Sequence, residues 1–166
     1  MREINNISKI GIISDTHIIN ASESLPKKVH SNFKNTDLII HCGDIVSPHV
    51  ITELEAYAPV IVVKGNMDTQ MLELPTDEII LINGTHTICV SHGSGSPFGL
   101  THKLYKQFVQ YNPSIILFGH THIAGDFEYN GVRLFNPGSP TTRADYYSIG
   151  LIHIKGKTLT TNVIVI

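Results

Sequence analysis

Charge and cysteine are both scarce in this chain. Only 16% of its 166 residues are Asp, Glu, Lys or Arg, against 42% hydrophobic, far from the charged, apolar-poor composition of disordered segments. No run of Lys or Arg is long enough to follow a nucleic-acid backbone and the formal net charge is −2, which argues against a nucleic-acid scaffold role while leaving a nucleotide substrate open. No apolar stretch approaches the roughly 18 residues of a membrane span. The N-terminal segment MREINNISKIGIIS has neither the apolar centre nor the small-residue cleavage site of a signal peptide, so a cytoplasmic protein without a membrane partner is expected. The two cysteines, Cys42 and Cys89, lie inside apolar runs, which predicts buried reduced thiols and no disulfide framework.

Histidine is what the chain has in excess. Ten imidazoles in 18.3 kDa direct attention to metal binding, because His is the commonest metal ligand. The length suits a single domain spanning 1–166.

Short β-branched runs at 9–14, 37–42 and 60–64 predict three buried strands. Between them, 25–33 and 47–57 read as helices, with Pro26 in a first turn, Ser47 as N-cap and Pro48 at N1. That alternation indicates βαβ units and a parallel sheet. Residues 78–82 and 85–90 then flank Asn83-Gly84, a hairpin signal. Residues 99–111 place Leu100, Leu104, Phe108 and Tyr111 at helical spacing, as one buried face. After a strand at 115–118, segments 125–129 and 132–135 join through Asn130-Gly131, and 147–154 and 158–166 form a last hairpin around Gly156. The expectation is a mixed α/β domain of two sheets, parallel-rich in its first half and antiparallel in its second.

Each predicted strand ends in polar residues: Asp15-Thr16-His17, Gly43-Asp44, Gly65-Asn66, Ser91-His92-Gly93, Gly119-His120-Thr121-His122 and Asn136-Pro137-Gly138-Ser139. In open α/β sheets ligands bind beyond the carboxyl ends of strands, so these residues should share one rim. Carboxylates, imidazoles and an amide oxygen suit Mn, Fe, Zn or Ni, and the lack of a thiolate cluster argues against structural zinc. Seven candidate ligands exceed what one ion with an open position needs. Two ions roughly 3.5–4 Å apart, sharing one carboxylate, would use them all. In an extended or loop backbone, i and i+2 side chains fall on one side, so His120 and His122, like Asp15 and His17, could face a common spot.

These blocks, Asp15-x-His17, Gly43-Asp44, Gly65-Asn66-x-Asp68, Ser91-His92-Gly93 and Gly119-His120-Thr121-His122, resemble in order the five of the calcineurin-like metallophosphoesterase superfamily. With Asn136-Pro137-Gly138-Ser139 and Arg143, the chain is similar to the small bacterial and archaeal phosphodiesterase branch. The resemblance implies two facing mixed β-sheets flanked by helices, a four-layer α/β/β/α sandwich. It implies that Asp15, His17 and His122 bind one divalent ion, that Asn66, His92 and His120 bind a second, and that Asp44 bridges them. Manganese is the first expectation, with Ni, Fe, Zn and Mg as alternatives. A hydroxide between the ions, its pKa lowered from about 15.7 to about 7, would attack phosphorus in line, and a residual charge of about +1 would draw in the anionic ester. Asp44, Asn66, His92 and His120 would carry catalysis through that hydroxide, and Asn66 and Arg143 would contact a small-molecule phosphodiester.

One position departs from the family. Many relatives place a histidine directly after the Asn as the acid for the leaving oxygen, whereas this chain has Met67. Methionine cannot donate a proton, which favours diesters and good leaving groups over a phosphomonoesterase, nucleotidase or protein phosphatase. The alternative of a different class is a non-catalytic interaction scaffold, because the same branch resembles the scaffold subunit of retromer. The complete ligand set argues for the enzyme. His41 and Asp68 are candidates to support the ligands from behind, while His30, His49, His86, His102 and His153 match no block. Thr121 and Ser139 need no role. The apolar tail hairpin could pair with another copy, as a dimer or tetramer.

Overall fold

The computed structural model describes residues 1–68, 73–142 and 145–166. Its strands form two sheets. The first, in spatial order β11-β10-β2-β3-β4, is built from β2 (Lys9–Ile13), β3 (Leu38–His41), β4 (Val60–Val62), β10 (Ser148–Lys155) and β11 (Thr158–Val165). The second has the order β1-β5-β6-β7-β9-β8 and comprises β1 (Arg2–Ile4), β5 (Asp77–Ile82), β6 (His86–Ser91), β7 (Ile115–Leu117), β8 (Gly125–Tyr129) and β9 (Val132–Asn136).

Strand periodicity explains the layering. Alternate side chains point to opposite faces, so Ile10, Ile12, Leu38 and Ile40 meet Ile80, Ile88, Val90, Ile115 and Leu117 in the core between the sheets. The intervening Ile13 and Ile39 face outward and pack against Val29 and Phe33 of α1 (Lys27–Phe33) and Val50 and Leu54 of α2 (His49–Glu55). On the far side, Cys89, Ile116, Phe118 and Leu134 pack against Leu100, Leu104 and Phe108 of α3 (Leu100–Phe108). The four-layer sandwich follows, with both sheets buried on two faces and Cys42 and Cys89 buried as free thiols. Among the described residues no helix is long and apolar enough to cross a membrane.

Several details differ from expectation. The second half is not antiparallel throughout: β6, β7 and β9 run parallel, with α3 as the crossover between β6 and β7. The last hairpin joins the other sheet, β10 pairing antiparallel with β2. The short strand β1 pairs parallel with β5, although a three-residue Arg-Glu-Ile segment has no readable alternation. The helices at 25–33 and 47–57 are shorter, starting at Lys27 and His49. Ser47 does not cap α2; its hydroxyl pairs with His49 Nδ1 at 2.7 Å. Tyr111 leaves the apolar face of α3 and is exposed, in a 3-10 turn over Val109–Tyr111.

The consequence for function is directional. The parallel strands β2, β3 and β4 and the parallel strands β6, β7 and β9 bring their carboxyl ends to one rim of the sandwich, where all six polar blocks meet.

Candidate metal centre

The loops at this rim are strained. Asp15, His17, Asp44, His120 and His122 have φ of 54°, 46°, 54°, 68° and 58°, the left-handed region that costs a non-glycine residue roughly 1–2 kcal/mol. The extended i, i+2 geometry expected for Asp15-x-His17 and His120-x-His122 is therefore absent; tight left-handed turns aim these side chains instead. Strain of this kind persists only where the surroundings over-determine it, and here they do. Asp15 N–H donates to Gly43 carbonyl (2.9 Å), His17 N–H to Asp44 carbonyl (3.2 Å) and Gly119 N–H to His92 carbonyl (3.1 Å). Close approach adds to the constraint: a Cβ at Gly119 would collide with Ser14 Oγ, and one at Gly65 with the Asp44 carboxylate.

Asp68 braces two of the loops. Its buried carboxylate accepts the N–H groups of Asp44 (3.0 Å), Gly65 (2.7 Å) and Val46 (2.8 Å), so it orients backbone and, among the described residues, hydrogen-bonds no histidine. His41 braces another pair. Its Nδ1 accepts from Gly43 N–H at 3.2 Å, which leaves the proton on Nε2, 3.1 Å from Thr16 Oγ1. Thr16 in turn donates to Ile45 carbonyl. Burial pushes the His41 pKa down to about 4, in keeping with a neutral ring. Hydroxyls complete the frame, and their part was not readable from sequence. Ser139 Oγ donates to Asp15 carbonyl (2.7 Å), Thr141 Oγ1 to Thr16 carbonyl (2.6 Å), and Asn136 Nδ2 to Gly119 carbonyl (2.8 Å) and Thr121 Oγ1 (3.1 Å). Serine and threonine beside a glycine turn are too common for their spacing to mark this role.

The side chains converge in two clusters. In the first, His122 Nε2 lies 3.2 Å from Asp15 Oδ1 and 3.2 Å from His17 Nε2, and His17 Nε2 lies 3.8 Å from Asp15 Oδ1. In the second, Asn66 Oδ1 lies 3.0 Å from His120 Nδ1 and 3.2 Å from His92 Nε2. Asp44 Oδ2 stands between them, 3.4 Å from His92 Nε2 and 3.7 Å from His17 Nε2. Asp15 also reaches toward the second cluster, its Oδ1 3.9 Å from His92 Nε2. Two groups thus have acid and imidazole donor atoms close enough to share an ion: Asp15, His17 and His122, and Asp15, Asp44 and His92.

The donor chemistry fits cations. His92 Nδ1 faces the Cys42 carbonyl at 2.8 Å and His120 Nε2 faces the Gly95 carbonyl at 2.8 Å. A carbonyl only accepts, so those nitrogens carry protons, and with the rings neutral, as metal ligation requires, the lone pairs of His92 Nε2 and His120 Nδ1 both face the Asn66 oxygen. Asp15 Oδ1, fully buried, makes no well-aligned hydrogen bond among the described residues and faces the ring nitrogens of His122, His17 and His92 instead. Acceptors facing acceptors repel unless positive charge lies between them. Ligand atoms bonded to one ion at about 2.1 Å stand about 3.0–3.5 Å apart, which is the spacing of the closest pairs here. The electrostatics agree. Burial alone would raise the Asp15 pKa, but His122 and His17 more than offset it and hold the carboxyl well below its usual range. For Asp44, burial is likewise outweighed by His92 and the Met67 N–H. Burial would lower the His92 pKa, yet Asp44 and Asp15 raise it on balance; Asp15 also raises that of His122. The clusters are two sinks for positive charge.

Two cavities open beside them. One of about 550 Å³ reaches His17 and is lined also by Glu23, Ser24, Thr141 and Tyr147. The other, about 250 Å³, reaches His92 and includes Lys64, Asp77, Ser91 and Lys103. Met67 is exposed at the rim, its N–H donating to Asp44 Oδ1 at 2.7 Å. Arg143 lies outside the described residues. The five remaining histidines lie elsewhere: His30 pairs with Glu53, His49 with Ser47 and the Glu23 carbonyl, His86 with the Gly156 carbonyl and His102 with Tyr129, and His153 is exposed on β10.

Comparison with known proteins points one way. The family pattern of the calcineurin-like phosphoesterase superfamily domain matches residues 9–157. A probable metallophosphoesterase of Methanothermobacter thermautotrophicus is 36% identical over 157 residues, covering 93% of this chain and 91% of its own. A phosphodiesterase of Methanocaldococcus jannaschii is 30% identical, covering 78% and 82%. Among solved structures, an archaeal phosphodiesterase superposes with a TM-score of 0.72 at 26% identity over 94% of this chain and 99% of the other. Vps29 of Chaetomium thermophilum reaches 0.78 at 21% identity over 95% of each chain, a likeness of fold.

Proposed function

Since the chain belongs to the calcineurin-like phosphoesterase superfamily, we propose that it hydrolyses small phosphodiesters with two divalent ions. Asp15, His17 and His122 hold the first ion, Asn66, His92 and His120 the second, and Asp44 both. The observation that carries this reading is the convergence of the His92 and His120 ring nitrogens on the Asn66 oxygen, beside a buried Asp15 Oδ1 that the His17 and His122 rings also face. When bound, the ions supply Lewis acidity toward phosphate and a nucleophile from water at neutral pH. The protein supplies position. Asp15 and Asp44 contribute −2, less than the charge of two divalent ions, so the centre attracts an anionic ester. Nitrogen and oxygen donors without thiolate suit manganese first, and Ni, Fe, Zn or Mg next.

Diester selectivity is supported by two features. A cavity lies beside each cluster, one for each substituent on phosphorus. Met67, at the rim where a leaving oxygen departs, has no proton to give, so good leaving groups are preferred. The second reading, an interaction scaffold, draws on the fold likeness to Vps29; the intact donor sets favour the enzyme. Arg143 is proposed as a second contact to substrate alongside Asn66.

The test is metal-stripped protein assayed on an aryl phosphodiester and its matching monoester, with each metal restored in turn. Diester turnover that returns with metal and is abolished in Asp44→Asn is expected. Inactivity with every metal would leave the scaffold reading; faster monoester turnover would reverse the role given to Met67.

A further inference from the structure

The cavity beside His92 holds two lysines from separate elements. Lys64 follows β4, where its N–H donates to the Pro75 carbonyl at 2.7 Å. Lys103 belongs to α3, and its Nζ lies 3.3 Å from where a Cβ would stand on Gly95. The Gly95 carbonyl accepts from His120 Nε2, so this ammonium sits against the loop that orients a ligand of the second cluster. Among the described residues neither lysine forms an ion pair. Two lysines on a protein rim are ordinarily just solvated. These two instead line one cavity whose wall includes His92, with Asp77 as its one carboxylate among the described residues, and the three side chains leave a positive balance of one charge.

We propose that this cavity is a specificity subsite for a phosphodiester in which one substituent bears a single further negative charge, of carboxylate type, set between Lys64 and Lys103. The inference rests on the phosphodiesterase reading. The phosphate lies at the two clusters, one substituent enters the larger cavity beside His17, and the anionic one enters the cavity beside His92. Asp77 disfavours a polyanion there, since a second charge on the substituent would meet a carboxylate rather than another ammonium.

The test pairs methyl 2-carboxyethyl phosphate with its neutral amide, methyl 2-carbamoylethyl phosphate, alkyl diesters whose poor leaving groups outlast a calorimetric titration of metal-loaded protein. The acid should bind about tenfold more tightly, in line with two partly exposed ion pairs, and the preference should shrink at high salt. It should vanish in the Lys64→Gln/Lys103→Gln double variant and persist in Lys106→Gln, on the same helix but outside the cavity. Equal binding of acid and amide, no binding of either, or a preference that survives the double variant overturns the subsite. A lysine-dependent preference with no turnover of the corresponding p-nitrophenyl diesters under any metal upholds the subsite and overturns the phosphodiesterase reading instead.

Discussion

The two donor clusters share Asp44 yet are built differently. The first owns a carboxylate, Asp15, which is fully buried and held anionic by two imidazoles. Its loop is fastened by Ser139, Thr141 and the His41–Thr16 contact. The second has only neutral donors besides the shared Asp44, with Asp15 Oδ1 farther off at 3.9 Å from His92 Nε2; its Asn66 amide is exposed at the rim, and the Asp68 carboxylate braces it from below. A close, desolvated negative charge binds a cation more strongly than an exposed amide does. On the proposed two-ion reading, the difference predicts a tight first ion and an exchangeable second one.

Asp15→Asn is the strongest way to break that asymmetry. Even residues that merely support a ligand cost about 10–100-fold in metal affinity or activity when changed, so loss of this ligand should exceed about 100-fold in activity. Elemental analysis after dialysis should show the tight ion gone. Asn66→Ala should reduce activity by about the same 100-fold while leaving one ion per chain; loss of both ions would mean the clusters are not independent. Asp68→Ala strands three backbone N–H groups at about 1–3 kcal/mol each, and should lower the thermal midpoint of the metal-free protein while weakening the second ion more than the first.

Smaller effects sharpen the contrast. His41 is neutral beneath the first cluster, its pKa about 4 against the ordinary value near 6.5. Because the folded value is depressed, its contribution is whole above pH 6.5 and is lost as pH falls toward 4, the loss there being about 3 kcal/mol. Unfolding of His41→Gln, followed from pH 7 to 4, should show a shallower acid limb than the parent. Met67→His, placed beside the second cluster, should raise monoester turnover at least about tenfold, short of the roughly 100-fold or more of a well-placed general acid, with little change for an aryl diester.

The site was legible in sequence to the extent that its chemistry is written in residue types at strand ends. The β-branched runs before Asp15, Asp44 and Asn66 and the apolar runs before His92 and His120 marked the strands, and α/β geometry put those ends on one rim. The hydroxyl network was not legible, because Ser139 and Thr141 act on backbone carbonyls far away in the chain. The pairing of β10 with β2 was equally hidden, since an apolar alternating hairpin fits either sheet edge.

Residue identity and order by themselves determined the layered α/β fold and the set of carboxylates, imidazoles and amide that could serve a metal. Tertiary structure alone decided how those donors divide. His120 and His122 are two residues apart, and two residues of extended chain would turn both rings to one side. Left-handed turns, held by hydrogen bonds with the loops after β2 and β6 and with the end of β9, rotate them to different partners, His122 to Asp15 and His120 to Asn66. That backbone is unfavourable locally and exists only because the packed sheets enforce it.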